Sequence, residues 1–310
     1  MRLVFFGSPE AALPSLEALC DAGHVIALVV TQPDRPSGRG KIVTASAVKR
    51  FAVEHKIPVI QPESIRKDPA ALEAIRNAAA DIHVVVAFGQ IIPALIFDLP
   101  KHKSINVHFS LLPMYRGAAP VSRALLEGEA RTGVTIFRLN ERMDEGDILA
   151  TSVTDIFPEE NAGILEKRLA GIGARLLCAT LARLDDIVSV PQNHALATYA
   201  PKIQKEEGRI DWRAHAAAVA RKVRAFTPRP GAFTMFKGQR IIILEGRDDG
   251  RAGDERPPGT ILAVSKAGLD VACGENSVFR VARLQPESRS PMEAYAYSLS
   301  GRMKALDVFG

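Results

Sequence analysis

Cysteine is scarce in this 310-residue chain: Cys20, Cys178 and Cys273 are the only three. An odd number so widely spaced fits neither a disulfide framework nor a zinc site. No apolar run reaches the ~18–20 residues that span a bilayer. The opening MRLVFFGSPE carries no long apolar stretch followed by a small-residue cleavage site. These absences predict a protein of the reducing cytoplasm with no membrane attachment. No His, Cys and acid cluster stands at ligand spacing, so no metal is expected. Internal repeats and low-complexity tracts are absent, as are long apolar heptads, which predicts a monomer.

What is present is ordinary in amount and uneven in placement. Hydrophobic residues make up 47% and charged residues 24%, the balance of a globular protein able to bury a sizeable core. Lys and Arg number 21 against 22 Asp and Glu in residues 1–200, but 19 against 13 in residues 201–310. All of the excess positive charge therefore lies in the last third. A basic module beside a neutral one points to an anionic partner, nucleic acid first. The competing reading is an Arg-rich solvated surface.

Apolar runs alternate with amphipathic segments over the first ~190 residues. RLVFF, HVIALVV, IPVI, DIHVVVAFG and SINVHFSLL read as strands. ASAVKRFAVEH and AALEAIRNAAA between them read as helices. Continuous Val and Ile runs mark strands buried on both faces, and the alternation predicts βαβ units around a parallel sheet. GVTIFRLN and GDILATSVTDI add two strands, and the long helical pattern NAGILEKRLAGIGARLLCATLARLDD closes the domain at about residue 189. Residues 190–207 mix Pro, Asn, Gln and Lys without periodicity and read as a linker. Residues 208–310 hold a basic helix, WRAHAAAVARKVRAF, and five short strand candidates, FTMFKG, RIIILEG, TILAVSK, LDVACG and SVFRVARLQP. Their turn signals predict a small β-barrel.

In a parallel sheet the ligands sit at the carboxyl ends of the strands. At such an end stands NVHFSLLPMYRGAAP, residues 106–120. Residues i and i+2 of a strand share a face, so Asn106 and His108 project together. An amide N–H and an imidazole can flank a carbonyl and stabilise its oxygen as it gains charge. A carboxylate is needed to orient the ring. Asp144 follows the strand GVTIFRLN, and a parallel course would bring it beside His108. Glu145 and Asp147 on the same loop are rivals. The plainer reading is two polar residues capping a buried strand, with a solvated acidic loop.

Together with MDEGDI downstream, this stretch resembles the signature of folate-dependent formyltransferases. TQPDRPSGRGK (31–41), VVVAFGQIIP (84–93), TYAPKI (198–203) and RIDW (209–212) resemble those members of the family that act on methionyl-tRNA. The likeness runs through nearly the whole chain, with separated motifs in the same order. It implies a Rossmann-like, mostly parallel α/β domain and an OB-like C-terminal barrel. It implies formyl transfer from 10-formyltetrahydrofolate, a co-substrate, to the α-amine of initiator methionyl-tRNA. On matching positions the catalytic trio is Asn106, His108 and Asp144. The resemblance places folate against Ser110, Leu111, Leu112 and Pro113 and against Phe88, Gly89, Gln90, Ile91 and Ile92.

By the same resemblance the 31–41 loop, with Arg35, Arg39 and Lys41, contacts the tRNA acceptor end. Lys202, Lys205, Arg209, Arg221, Lys222 and Arg224 extend that basic track. Two departures stand out: Phe109 where a small residue is expected, and Phe88 at a position often held by Tyr. Whether Asp144 acts as a base or as a charge partner stays open. So do two other functions: formyl transfer to a sugar-nucleotide or glycinamide-nucleotide amine, and non-catalytic RNA binding on the same scaffold.

The remaining motifs read as structural. Gly7-Ser8-Pro9 is a turn after the first strand, not a phosphate-binding GxGxxG. Gly171-x-Gly173 lies inside a helical pattern. His24, His55, His83, His102, His194 and His215 read as surface or packing histidines. Trp212 is expected to pack at the domain junction, with nucleotide stacking as the rival role.

Overall fold

The computed structural model describes residues 1–37, 42–253, 255–301 and 303–310. It divides into two units. The first comprises 1–120, 131–155 and 166–201, and the second 121–130, 156–165 and 202–310.

Chain order in the α/β part is β1 (Arg2–Gly7), α1 (Leu13–Asp21), β2 (Val25–Val30), β3 (Arg35–Ser37), β4 (Ile42–Thr44), α2 (Ala47–Glu54) and β5 (Val59–Ile60). It continues with α3 (Pro69–Asn77), β6 (Ile82–Val86), α4 (Ala94–Phe97), β7 (Ser104–His108), α5 (Pro120–Glu127), β8 (Arg131–Arg138), β9 (Ile148–Asp155) and α6 (Ala162–Ala182). Seven strands form one sheet in the order β5-β2-β1-β6-β7-β8-β9. β5 to β7 run parallel, whereas β8 and β9 are antiparallel. The short strands β3 and β4 pair antiparallel as a separate two-stranded sheet, a feature the 31–41 segment gives no periodic sign of.

The central strands lie where their composition sends them. Leu3, Val4, Phe5 and Phe6 of β1 are fully buried, as are Ile82, Val84 and Val86 of β6. Burying each such side chain contributes roughly 1.5–3 kcal/mol, and only a strand covered on both faces can bury a continuous run. In this part, α2 and α3 start at side-chain caps. Ser46 accepts the Lys49 amide at the head of α2, and Asp68 accepts the Ala71 amide at the head of α3, where Pro69 takes the first turn.

Behind β7 the helix α6 approaches closely at Gly173. A Cβ there would come within 2.8 Å of Val107 Cγ1 and 3.4 Å of Val134 Cγ1. The glycine of Gly171-x-Gly173 is thus a packing glycine, and it seats the strand that carries Asn106 and His108.

The second unit holds α7 (Ala216–Phe226), β10 (Ala232–Phe236), β11 (Gln239–Ala252), β12 (Ile261–Ser265), β13 (Gly268–Cys273), β14 (Ser277–Pro286), β15 (Met292–Glu293) and α8 (Ala294–Leu299). The five expected strands pair antiparallel in the order β10-β11-β14-β13-β12. Residues 306–310 close the ring. Leu306 N donates to Ile261 O, Ile261 N to Asp307 O and Phe309 N to Gly259 O beside β12, while Gly310 and Met235 exchange two bonds beside β10.

Trp212 lies inside this unit rather than at a junction. Its ring stacks on Phe309 at 5.4 Å and its Nε1 donates to Thr234 Oγ1. Only 4% of it is exposed, which leaves no free face for a nucleotide.

Candidate active site

β7 ends in the middle of the sheet, between parallel β6 and antiparallel β8. Asn106 pairs with Phe137 and His108 with Thr135, so both side chains leave the same face two residues apart. The amide of Asn106 is half-buried and makes no hydrogen bond to another described residue. An amide held on a strand without a protein partner keeps both N–H donors for a ligand.

His108 is almost fully buried. Its Nε2 lies 2.9 Å from Tyr115 O and its Nδ1 3.7 Å from Asp144 Oδ2. Both ring nitrogens face oxygens, so a doubly protonated ring finds an acceptor on each side. Asp144 reaches His108 by a different course from the one expected. β8 runs antiparallel to β7, and the loop 139–147 doubles back along it before β9. Asp144 turns in the left-handed region, at φ 55°, which a short acidic side chain tolerates better than most. Its Oδ2 also accepts the Gly117 amide at 2.8 Å.

Of the two rivals, Glu145 is bound to Arg116, Oε1 to Nη1 at 3.2 Å, and Asp147 accepts Ser189 Oγ at 3.3 Å. Neither is placed on the imidazole.

The loop after His108 is tied at several points. Thr135 Oγ1 donates to Ser110 O and accepts the Leu112 amide, while Ser110 Oγ donates to Met114 O. Leu112 is buried and Leu111 half-buried. The ring of Phe109, 7% exposed, turns inward, 3.6 Å from a Cβ built at Gly173. It therefore fills space against α6 rather than narrowing the outer face.

In the 88–92 segment the Phe88 ring is buried edge-on against Phe6, 5.5 Å between centroids. Ile92 is buried, and Gln90 spends its amide on Ile65 N and Pro62 O. What this segment exposes is Ile91 at 59% and the backbone around Gly89, at φ 80°.

The basic residues differ in availability. Arg35 is exposed and paired with Glu63, an exposed ion pair worth little and easily exchanged. Arg39 and Lys41 lie outside the described residues. Lys202, Lys205 and Arg209 are exposed. By contrast Arg221 donates to Leu126 O and Arg224 to Glu160 O and Phe157 O, all within the second unit. Lys222 donates to Arg209 O, and burial lowers its ammonium below the ordinary range.

The formyl transferase family model matches residues 1–181, and the model of the formyl transferase C-terminal domain matches 202–300. The chain belongs to the formyl transferase family. Among curated formyl transferases it is 42% identical over 300 residues to the methionyl-tRNA formyltransferase of Hydrogenovibrio crunogenus, an alignment covering 96% of this chain and 95% of that one. To the enzyme of the same name from Coxiella burnetii it is 45% identical over 287 residues, 92% and 90% of the two chains. Its fold is shared with solved structures. An N-formyltransferase from Helicobacter canadensis, solved with folinic acid and dTDP-3-aminofucose, aligns at TM-score 0.64 and 17% identity over 92% of this chain and 99% of that one. HypX from Aquifex aeolicus, solved with tetrahydrofolic acid, aligns at TM-score 0.64 and 18% identity over 96% and 47%. Among the described residues no helix is long and apolar enough to cross a membrane, and no cluster of metal-ligating side chains occurs.

Sequence reasoning does not find the Tyr115 carbonyl, the Gly117 amide, Thr135 or Gln192. The first two are backbone groups, which no residue type announces. Thr135 is one more β-branched residue in a strand, and Gln192 sits in a segment without periodicity.

Proposed function

We propose that this formyl transferase moves the formyl group of 10-formyltetrahydrofolate to the α-amine of methionyl-tRNA. The observation that carries the chemistry is the set at the end of β7: an Asn106 amide with no partner among the described residues, beside His108, with Asp144 Oδ2 3.7 Å from the ring. The substrate assignment is supported by relatives of that name aligned over nearly the full chain and by the basic C-terminal third.

In this reading the flat donor lies beside the set. Leu111, Pro113 and Ile91 offer apolar contact, and the Asn106 amide can bond a carbonyl oxygen. In the reaction the neutral amine attacks the formyl carbon. The new N–C bond forms, the bond from that carbon to the folate nitrogen breaks, and that nitrogen takes up a proton as the amine gives one up. Asn106 N–H and His108 Nε2–H stabilise the oxygen as charge develops on it. The formyl oxygen competes with Tyr115 O for the Nε2 proton. Asp144 holds the ring and offsets its charge.

The test is transfer of formyl from 10-formyltetrahydrofolate to methionyl-tRNA, with sugar-nucleotide and glycinamide-nucleotide amines as competing acceptors. Asn106→Ala and His108→Ala each lose at least ~10²–10³ in turnover. Near-parental turnover by either variant rejects the assignment, and preference for a small amine transfers the function to the alternative acceptor.

A further inference from the structure

The turn Tyr115-Arg116-Gly117 is the point where the two halves of the catalytic pair meet. Tyr115 O faces His108 Nε2 at 2.9 Å, and Gly117 N donates to Asp144 Oδ2 at 2.8 Å. Between them the Arg116 side chain is 2% exposed. A buried guanidinium demands partners for its N–H groups. Nη1 meets Glu145 Oε1 at 3.2 Å, Nε and Nη2 both meet Gln192 Oε1, at 3.1 and 2.7 Å, and Nη2 lies 3.1 Å from His194 Nδ1.

The other end of the same Gln192 amide points into the catalytic loop. Its Nε2 donates to Asp144 O at 2.8 Å and to Gly146 O at 2.8 Å. One buried side chain, 5% exposed, therefore grips Arg116 with its oxygen and both sides of Asp144's loop with its nitrogen. Every hydrogen-bonding direction of the nitrogen is used, so the orientation of the amide is fixed.

The backbone it holds is strained. Gly117, at φ 122°, takes a conformation open to glycine, but Tyr115 and Asp144 are non-glycine residues with positive φ, at 60° and 55°. Such residues persist only where their surroundings over-determine them. The strand-like segment 198–200 adds to the hold, with Arg116 N on Thr198 O, Ala200 N on Arg116 O and Tyr115 N on Thr198 Oγ1.

We infer that Gln192, with Arg116, is a positioning residue for the reaction: it sets the separation of Asp144 from His108 without touching substrate. This rests on the functional reading above, in which that pair does the chemistry.

The test is a double-mutant cycle between Gln192 and Asp144. Gln192→Glu keeps size and the contact to Arg116 but turns both N–H donors into an oxygen facing two carbonyls. Gln192→Met keeps the volume and removes both contacts, and it carries the test if the Glu variant does not fold. Thermal unfolding of each variant is recorded alongside formyl transfer to methionyl-tRNA.

In the parental background either substitution lowers kcat by ~10²-fold, the scale of a small misplacement of reacting groups, with KM for both substrates changed far less. In an Asp144→Asn background the same substitution costs little further, because what Gln192 positions is already gone. Equal factors in the two backgrounds, a change confined to KM, or an unaltered kcat overturns the inference. Asp144→Asn at parental turnover overturns instead the functional reading on which it rests, so the two failures are told apart.

Discussion

The carboxylate Oδ2 of Asp144 stands 3.7 Å from His108 Nδ1 while accepting the backbone N–H of Gly117 at 2.8 Å. One oxygen thus faces the imidazole and ties down the turn that also presents Tyr115 O to the ring's other nitrogen. The relationship makes the conformation of residue 117 part of the geometry of the proposed active site.

Gly117→Ala tests that link. At φ 122° an L-side chain is disfavoured, and the new Cβ would lie 2.7 Å from Ala200 O. Relief requires the turn to move away from segment 198–200 or change its φ. The expected outcome is a loss of ~1–3 kcal/mol in stability, read by urea unfolding. A fall in kcat accompanies it as the Gly117 amide leaves Asp144.

Acid stability should depend on His83. Burial on β6 lowers its imidazole to about 4, well below its ordinary 6.5. The folded state therefore favours the neutral ring. Above the ordinary value both states are neutral and the residue adds no pH dependence. As pH falls from 6.5 to 4 the unfolded chain takes up a proton that the folded one refuses, and stability drops by up to about 3 kcal/mol. His83→Leu removes this contribution, so its unfolding free energy falls less steeply across that window. A parallel profile for the two proteins would disprove the assignment.

The basic residues divide by the partners they already have. Lys202→Ala and Lys205→Ala, at exposed positions, are expected to weaken tRNA binding and flatten its salt dependence by about one phosphate contact each. Arg224→Ala behaves differently, because its guanidinium is spent on Glu160 O and Phe157 O. It lowers the thermal midpoint and leaves the salt slope of tRNA binding unchanged. Filter binding at several salt concentrations, paired with thermal unfolding, separates the two kinds.

Legibility from sequence followed the length and continuity of the pattern. The apolar runs of β1, β2, β6 and β7 mark a buried parallel sheet because no other arrangement covers both faces. The five longer strands of the second unit, β10 to β14, are bounded by turn residues and are equally plain. The short elements β3, β4, α4 and α8 were not, since three to six residues carry too little period to register. The sense of β8 was hidden as well. A strand's apolar pattern reads the same in either direction, so the sequence could place Asp144 on a loop after β8 but not show how the loop returns. Asn106 and His108 were readable from their i, i+2 spacing at a strand end. The groups that hold His108 and Asp144, namely Tyr115 O on the ring and Gly117 N and the Gln192 amide on Asp144, were not, because two are backbone and the third is 76 residues from Arg116.

The ring of the second unit is completed by residues 306–310. Gly310 bonds back to Met235, 75 positions earlier, and Phe309 lies flat on Trp212. Contacts so distant along the polypeptide must await loop closure. On a translating ribosome, strands β10 to β14 would emerge with the outer edges of β12 and of β10 at Met235 unpaired and an indole still lacking the Phe309 ring. This enzyme's own domain would thus reach its finished form only after residue 310 had cleared the exit tunnel.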